Sequence, residues 1–280
     1  MPDNAIEVRA LEKSYGDVRA VAGIDLHVAQ GEIFALLGPN GAGKTTTVEI
    51  LEGHRSRTSG QVTVLGHDPG KSERALKERI GIVLQETGVN RFLTVAEVID
   101  QFRSFYPSPR PLDEIIEVVG LTEKRDSLVR KLSGGQLRRL DVAVGLAGDP
   151  ELLFLDEPTT GFDPTARRNA WGMVQNLKEL GKTVFLTTHY MDEAQILADR
   201  VAIIVSGKIV AEGTPQQLAA QTGAEPRRAY TVATHDADRL EGLAREVGIE
   251  IREIAPPGRT LEDVYLDLTK EQSPEVEEQG

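Results

Sequence analysis

One glycine-rich segment has the residue types that bind a phosphate chain. GPNGAGKT, from Gly38 to Thr45, matches the pattern G-x-x-x-x-G-K-[ST]. Its glycines allow backbone N–H groups to turn inward around an anion, and the helix that follows adds the partial positive charge of its N-terminus. Lys44 would reach the β- and γ-phosphates, and the Thr45 hydroxyl would bind Mg²⁺. The pattern predicts a nucleoside triphosphate site; the alternative is a glycine-rich turn that happens to precede a lysine.

A second segment, LLFLDEP at 152–158, ends an apolar run in two adjacent carboxylates. A buried strand of this kind would deliver Asp156 to the same sheet edge as the glycine-rich loop, where it suits Mg²⁺. Glu157 would then orient and deprotonate an attacking water. Alone, the pair is equally compatible with a solvated strand end. Beside a phosphate loop, it predicts hydrolysis.

A third segment, LSGGQ from Leu132 to Gln136, places Ser-Gly-Gly at the predicted start of a helix. Such a start is a second anion-binding site. A single nucleotide needs one phosphate cradle per chain, so the second would serve the ATP of a partner molecule. The alternative is an ordinary helix start with Ser133 as its N-cap.

Alternating strand and helix patterns surround these segments and predict an α/β fold. GEIFALL at 31–37 reads as a buried parallel strand, followed by the glycine-rich loop and a helix. RVAIIVSGKIVAEG predicts a hairpin that turns at Ser206 and Gly207. The remaining predicted strands are 6–11, 21–28, 61–65, 80–84, ELLFLDEP and KTVFLTTH.

Two regions depart from this alternation. Residues 94–131 have apolar residues at helical spacing and predict a mainly helical insertion. From about residue 220, strand and helix patterns predict a small appendage. Residues 271–280 contain four glutamates and no basic residue, which predicts a disordered acidic tail.

These segments, in this order, resemble the nucleotide-binding domain of ABC ATPases over about residues 5–220. The resemblance implies a P-loop NTPase core with an antiparallel β subdomain and a helical insertion. The implied domains are 1–220 for ATP binding, with a helical subdomain at about 86–145, and a small α+β appendage at 221–270.

The resemblance also implies roles for single residues. Tyr15 matches the aromatic residue that stacks on adenine, and Gln85 the glutamine that contacts Mg²⁺ and water. His189 matches the switch histidine near the γ-phosphate, and Asp163 the aspartate that contacts the dimer partner. A half-buried strand tyrosine, a surface glutamine and a structural histidine are the alternatives. Phe162 departs from the leucine usual in the family, which predicts repacking at this interface.

Taken together, the resemblance implies three groups of site residues. The catalytic group is Lys44, Glu157 and His189. The metal ligands are Thr45, Gln85 and Asp156. The nucleotide contacts are Tyr15, Gly38, Pro39, Asn40, Gly41, Ala42, Gly43, Lys44, Thr45, Thr46, Gln85, Ser133, Gly134, Gly135, Gln136 and Asp163.

The resemblance implies a homodimer that binds ATP and Mg²⁺ between its two chains and drives a separate transmembrane permease. It would therefore lie at the cytoplasmic face of the cell membrane without entering it. The C-terminal segment TLEDVYLDLT resembles drug exporters of the daunorubicin-resistance type, although a generic domain cap is an equal alternative.

Composition limits the other function classes. The chain of 280 residues has 32 basic and 44 acidic residues, a net charge of −12, and no cysteine. The acidic balance disfavours direct nucleic-acid binding, although a local basic patch stays possible. No stretch approaches the ~20 apolar residues that cross a bilayer.

The open alternative is a soluble ABC ATPase acting on nucleic acid or ribosomes, which the short interval before LSGGQ disfavours. An inactive ATPase is disfavoured because the catalytic residues are all present.

Overall fold

A computed structural model describes residues 4–83, 88–162 and 164–220, and these residues form two β-sheets and eight α-helices. The strands are β1 (Asn4–Tyr15), β2 (Val18–Ala29), β3 (Ile33–Leu37), β4 (Ser59–Val64), β5 (Ile80–Val83), β6 (Leu152–Asp156), β7 (Thr183–Thr188), β8 (Arg200–Val205) and β9 (Lys208–Gly213). The helices are α1 (Lys44–Leu51), α2 (Arg74–Lys77), α3 (Val95–Arg103), α4 (Leu112–Val118), α5 (Gly134–Gly145), α6 (Pro164–Glu179), α7 (Met191–Leu197) and α8 (Pro215–Ala220).

The larger sheet has six strands in the order β5-β6-β7-β3-β8-β9, and all neighbours are parallel except β8 and β9. Every residue of β3 and β7 is buried, as their continuous apolar runs predict for strands covered on both faces. The predicted hairpin of β8 and β9 is confirmed. It turns at Ser206 and Gly207, both of which have positive φ.

The smaller sheet is antiparallel, with the order β2-β1-β4. Its strands extend beyond the predicted segments 6–11 and 21–28. β1 continues through a register shift between Val8 and Leu11, where Ala10 has a φ of 47°. A bulge interrupts the alternation of apolar and polar residues, so the sequence pattern predicts a shorter strand than the chain forms.

The predicted helical region is confirmed between β5 and β6, where α3, α4 and α5 lie with short 3₁₀ turns at 122–124 and 129–131. Thr94 caps α3 in a reciprocal capping box with Glu97. The apolar residues of α3 and α4 that set the helical spacing are buried, including Val98, Ile99 and Ile115.

Two apolar clusters cover the two faces of the large sheet. Alternate residues of β3 belong to different clusters: Phe34 and Leu36 pack toward α1 and the antiparallel sheet, whereas Ile33 and Leu37 pack toward the helical region. The sheet is therefore the central layer that holds the site residues at its edge.

Several expectations lie outside the described residues. They are the last residue of the predicted strand 80–84, the appendage at 221–270 and the acidic tail at 271–280. Within 4–83, 88–162 and 164–220, no helix combines the length and apolar character needed to span a bilayer.

Candidate active site

Three neighbouring parallel strands bring the predicted site residues to one edge of the large sheet. In register, Leu37 of β3 lies beside Thr188 of β7, and Thr187 of β7 lies beside Asp156 of β6. The Gly38 N–H donates to the Thr188 carbonyl at 3.3 Å. The glycine-rich loop, the acidic pair and His189 all follow these strand ends directly, as predicted for parallel strands.

The glycine-rich loop wraps the start of α1 in a conformation that needs its glycines. Gly43 is the N-cap of α1 with a φ of 106°, and a Cβ there would lie 2.4 Å from the Ala20 carbonyl oxygen. Gly41 also has positive φ, with open space where its Cβ would lie. This open side and the free N–H groups at the start of α1 are the features of an anion cradle.

Lys44 is buried, and its ammonium group lies inside the loop. The Nζ atom donates to the carbonyl of Gly38 at 2.9 Å and to that of Pro39 at 3.2 Å. Asn40 and Thr45 are exposed and Thr46 is half-buried, so these residues face the open side of the loop.

Glu157 is the centre of the acidic side of the site. Its Oε1 lies 3.3 Å from Lys44 Nζ, and its Oε2 lies 3.2 Å from His189 Nδ1 and accepts a hydrogen bond from Thr160 Oγ1 at 3.0 Å. Burial alone would raise the pKa of Glu157, but Lys44, Thr160 and His189 outweigh it and hold the pKa below its ordinary value. The carboxylate is therefore ionised at neutral pH.

The backbone of Glu157 is in the left-handed region, with a φ of 45°. Its N–H group is held by Thr187, through the carbonyl oxygen at 3.2 Å and Oγ1 at 3.1 Å. The Thr187 hydroxyl also donates to Asp156 Oδ1. This threonine, which the sequence analysis missed, orients both acidic residues. A signal existed, because KTVFLTTH places two hydroxyls at the end of an apolar strand.

The LSGGQ segment begins α5, with Ser133 as an exposed N-cap. Ser133 Oγ accepts from the Gln136 N–H at 3.3 Å, and Gln136 Oε1 accepts from the Ser133 N–H at 3.0 Å. The capping alternative is therefore realised, and it leaves the N–H groups of Gly134 and Gly135 at the open helix start. The described contacts join Lys44, Glu157 and His189 but do not join Ser133 to them.

Tyr15 ends β1 and is 41% exposed. Two cations flank it: Lys13 Nζ lies 5.0 Å from the ring centroid and the guanidinium carbon of Arg55 lies 5.4 Å away. Gln85 and Asp163 lie outside the described residues, so their roles stay predictions.

Comparison with known proteins identifies the family. The model of the ABC transporter family matches residues 21–160. The chain belongs to the ABC transporter family. The daunorubicin resistance ATP-binding protein DrrA3 of Streptomyces coeruleorubidus is 37% identical, with 96% of this chain and 97% of that protein covered. The Nod factor export ATP-binding protein I of Rhizobium sp. (strain N33) is 38% identical, with 95% and 97% covered.

Solved structures give the same fold. The cbiO1 protein of Clostridium perfringens, part of the ABC transporter complex cbiONQ, matches with a TM-score of 0.70 at 29% identity, covering 78% of this chain and 92% of that one. A post-hydrolysis ATP-binding cassette dimer bound to ADP and Pi matches with a TM-score of 0.65 at 24% identity, covering 75% and 98%. The predicted P-loop NTPase fold is confirmed.

The prediction of an ABC-type ATP-binding subunit with ATPase activity is confirmed by the family match and the relatives. The resemblance to the daunorubicin-resistance group, stated from the sequence, is confirmed as well. The relatives do not favour the alternative of an ABC ATPase acting on nucleic acid or ribosomes, since both groups are ATP-binding subunits for resistance or export.

Proposed function

We propose that this ABC ATPase supplies energy to an exporter of drugs or other hydrophobic compounds. It would act as a nucleotide-sandwich dimer at the cytoplasmic face of a membrane and bind a separate permease. Relatives named for daunorubicin resistance and Nod factor export support an export role. The observation that carries the proposal is the convergence of Lys44, Glu157 and His189 at one sheet edge.

In the proposed dimer, two chains pair head to tail with two-fold symmetry. The glycine-rich loop of one chain and the Ser133 turn of its partner hold one ATP between them. The exposed helix start at Ser133 supports this arrangement, because the N–H groups of Gly134 and Gly135 are available to a phosphate outside the chain. Tyr15 would stack on the adenine.

Two side chains fit the Mg²⁺ that usually accompanies ATP. Thr45 and Asp156 offer a hydroxyl and a carboxylate, and hard oxygen ligands are what Mg²⁺ prefers. Mg²⁺ bound with a nucleotide is commonly held by one or two protein groups together with substrate phosphates and water. When bound, Mg²⁺ would neutralise charge on the β- and γ-phosphate oxygens.

In the proposed hydrolysis, Glu157 accepts a proton from a water whose oxygen attacks the γ-phosphorus. The bond between that phosphorus and the β–γ bridging oxygen breaks, and ADP and phosphate form. Lys44 and His189 stabilise charge on the γ-phosphate. Lys44 must first exchange its contact with Glu157 for the phosphates, which frees the carboxylate to act as a base.

The helical region offers a surface for the proposed permease. Phe92 and Phe105 are 73% and 67% exposed, although apolar rings of this size are usually buried. Phe105 packs edge-on against Phe102 of α3, and the Arg130 guanidinium lies over the Phe92 ring. An apolar surface supported in this way suits a cytoplasmic helix of a membrane partner.

The test is purification of the tagged chain from detergent-solubilised membranes of its own host. The proposal expects a protein with several transmembrane segments to copurify and to stimulate ATP hydrolysis by the chain. A Phe105→Glu variant should lose this partner and the stimulation but retain basal ATPase activity. Copurification of ribosomes or nucleic acid instead would favour the alternative function.

A further inference from the structure

Arg138 of α5 holds the two peptide carbonyls that flank Glu157. Its Nη2 donates to the Asp156 carbonyl at 3.1 Å, and its Nε donates to the Pro158 carbonyl at 3.2 Å. A guanidinium group presents its donors in a fixed planar fork. The two bonds together therefore fix both the position and the orientation of the turn that carries the Glu157 carboxylate.

The burial of Arg138 indicates a specific role at this place. Its side chain is 8% exposed and lies 3.7 Å from Asp141, which is equally buried. Burial lowers the pKa of Arg138, and Asp141 opposes that shift. Because the desolvation of a buried pair often cancels its attraction, general stabilisation gives little reason for a charge here.

The backbone conformation of Glu157 gives a reason for a buried charge at Arg138. A φ of 45° is unfavourable for a non-glycine residue, and such a conformation persists only where neighbouring contacts enforce it. Thr187 fixes the N–H of Glu157 from the β7 side. Arg138 fixes the carbonyls before and after it from the α5 side.

The same helix begins with the Ser133 turn. Arg138 lies five residues after Ser133, about 7.5 Å along a rigid helix axis. A cavity of about 280 Å³, lined by Gly134, Arg138 and Glu157 among others, lies between the helix start and the strand end. Because Arg138 holds the Glu157 turn from this same helix, movement of the Ser133 turn would move the Glu157 turn with it.

We propose that Arg138 is a positioning residue for ATP hydrolysis, which ties the Glu157 turn to the helix whose start contacts the partner's ATP. The inference rests on the proposed sandwich dimer. In that dimer, Ser133 serves one ATP and Glu157 of the same chain serves the other. Arg138 thus makes the geometry of the water-activating carboxylate depend on the occupancy of the opposite site.

The test uses Arg138→Lys and Arg138→Met in the full chain. A lysine keeps the charge but cannot bridge both carbonyls with fixed geometry. Both variants should lower kcat by about 10- to 100-fold, because a misplacement of about 1 Å has effects of that size. The KM for ATP, nucleotide affinity and ATP-dependent dimer formation should each change less than about twofold, since substrate binding is not altered.

Arg110→Met is the matched control. Arg110 is also largely buried and pairs with Asp149 at 3.0 Å, but it lies away from Glu157. This variant should lose a similar amount of stability, measured as melting temperature, and retain its kcat. If it loses as much kcat as Arg138→Lys, general destabilisation explains both results and the inference is overturned.

Non-additivity with Glu157→Gln gives the decisive comparison. If Arg138 acts through Glu157, adding Arg138→Lys to Glu157→Gln should change the single-turnover rate by less than about twofold. A further tenfold fall, or a wild-type kcat in Arg138→Lys alone, would overturn the inference. A Glu157→Gln variant that hydrolyses ATP normally would instead overturn the proposed function.

Discussion

The ammonium group of Lys44 and the carboxylate of Glu157 form a buried ion pair, with 3.3 Å between Nζ and Oε1. The side chains are 5% and 13% exposed, and they come from the start of α1 and the turn after β6. Because the two charges are in direct contact, binding of a phosphate by Lys44 changes the environment of Glu157 directly. This relationship motivates the first two predictions.

Replacing Glu157 by glutamine should block hydrolysis and retain ATP binding. The amide cannot accept a proton from water, and loss of a general base usually costs about 10²- to 10⁴-fold in rate. ATP-bound dimer should accumulate, detectable by size-exclusion chromatography with light scattering. Glu151→Gln is the control, because Glu151 immediately precedes the first residue of β6, at the end of the strand opposite Glu157. This variant should hydrolyse ATP at the normal rate. Normal turnover in Glu157→Gln would remove its assigned role.

Replacing Lys44 by alanine should weaken both nucleotide affinity and turnover. The variant loses the charge that faces the phosphates, and it also leaves Glu157 buried beside His189 without its main cation. Fluorescent-nucleotide titration and steady-state ATPase assays would measure the two effects. Lys208→Ala, on the exposed side of β9, should leave both unchanged. Unaltered activity in Lys44→Ala would contradict the phosphate-loop assignment.

Replacing Tyr15 by alanine should raise the KM for ATP and leave kcat nearly unchanged. Stacking of a base on an aromatic ring contributes about 1–3 kcal/mol. The variant should therefore lose the same binding free energy in the ground state and in the transition state, which raises KM and leaves kcat unchanged. Tyr15→Phe keeps the ring and should bind like the wild type. If Tyr15→Ala binds ATP normally, the ring packs against Lys13 and Arg55 for structural reasons alone.

Glu52 should make the folded state less stable as pH rises. Burial raises its pKa from 4.5 to about 8, and Asp156 and Glu49 add to the shift. Between these two values the folded chain retains a proton that the unfolded chain releases. The free energy of unfolding therefore falls as pH rises through this window, by at most ~1.4 kcal/mol per pH unit.

Urea unfolding of Glu52→Gln at pH 5.5 and pH 8 tests this pH dependence. The glutamine stays neutral, so the stability of the variant relative to wild type should increase from the lower to the higher pH. Glu7→Gln is the control, because the side chain of Glu7 on β1 is 40% exposed, whereas Glu52 is buried. A constant difference across the window would show that Glu52 titrates at its ordinary pKa.

Continuous apolar runs were sufficient to predict the strands that carry the site. GEIFALL, ELLFLDEP and KTVFLTTH each became a buried parallel strand, and the chemistry-bearing residues followed directly at the ends. Because parallel strands present their carboxyl ends at one edge, proximity of Lys44, Asp156 and His189 could be inferred without coordinates.

The contacts of Arg138 and Glu52 could not be inferred in this way. Arg138 lies on α5 and Glu52 is the C-cap of α1, and exposure is the ordinary expectation for charged side chains. Their burial results from how α5 and α1 pack against the sheet, which depends on contacts distant in the chain. The spacing of Arg138 and Asp141, opposite charges three residues apart on α5, was the one available signal.

The left-handed backbone at Glu157 has a consequence for protein engineering. An L-residue in this conformation costs about 1 kcal/mol that glycine would avoid. Glycine would also remove the carboxylate that faces the buried ammonium group of Lys44, and loss of one partner of a buried ion pair costs about 3–5 kcal/mol. A library selected only for resistance to heat would therefore retain an acidic side chain at position 157, together with its unfavourable backbone conformation.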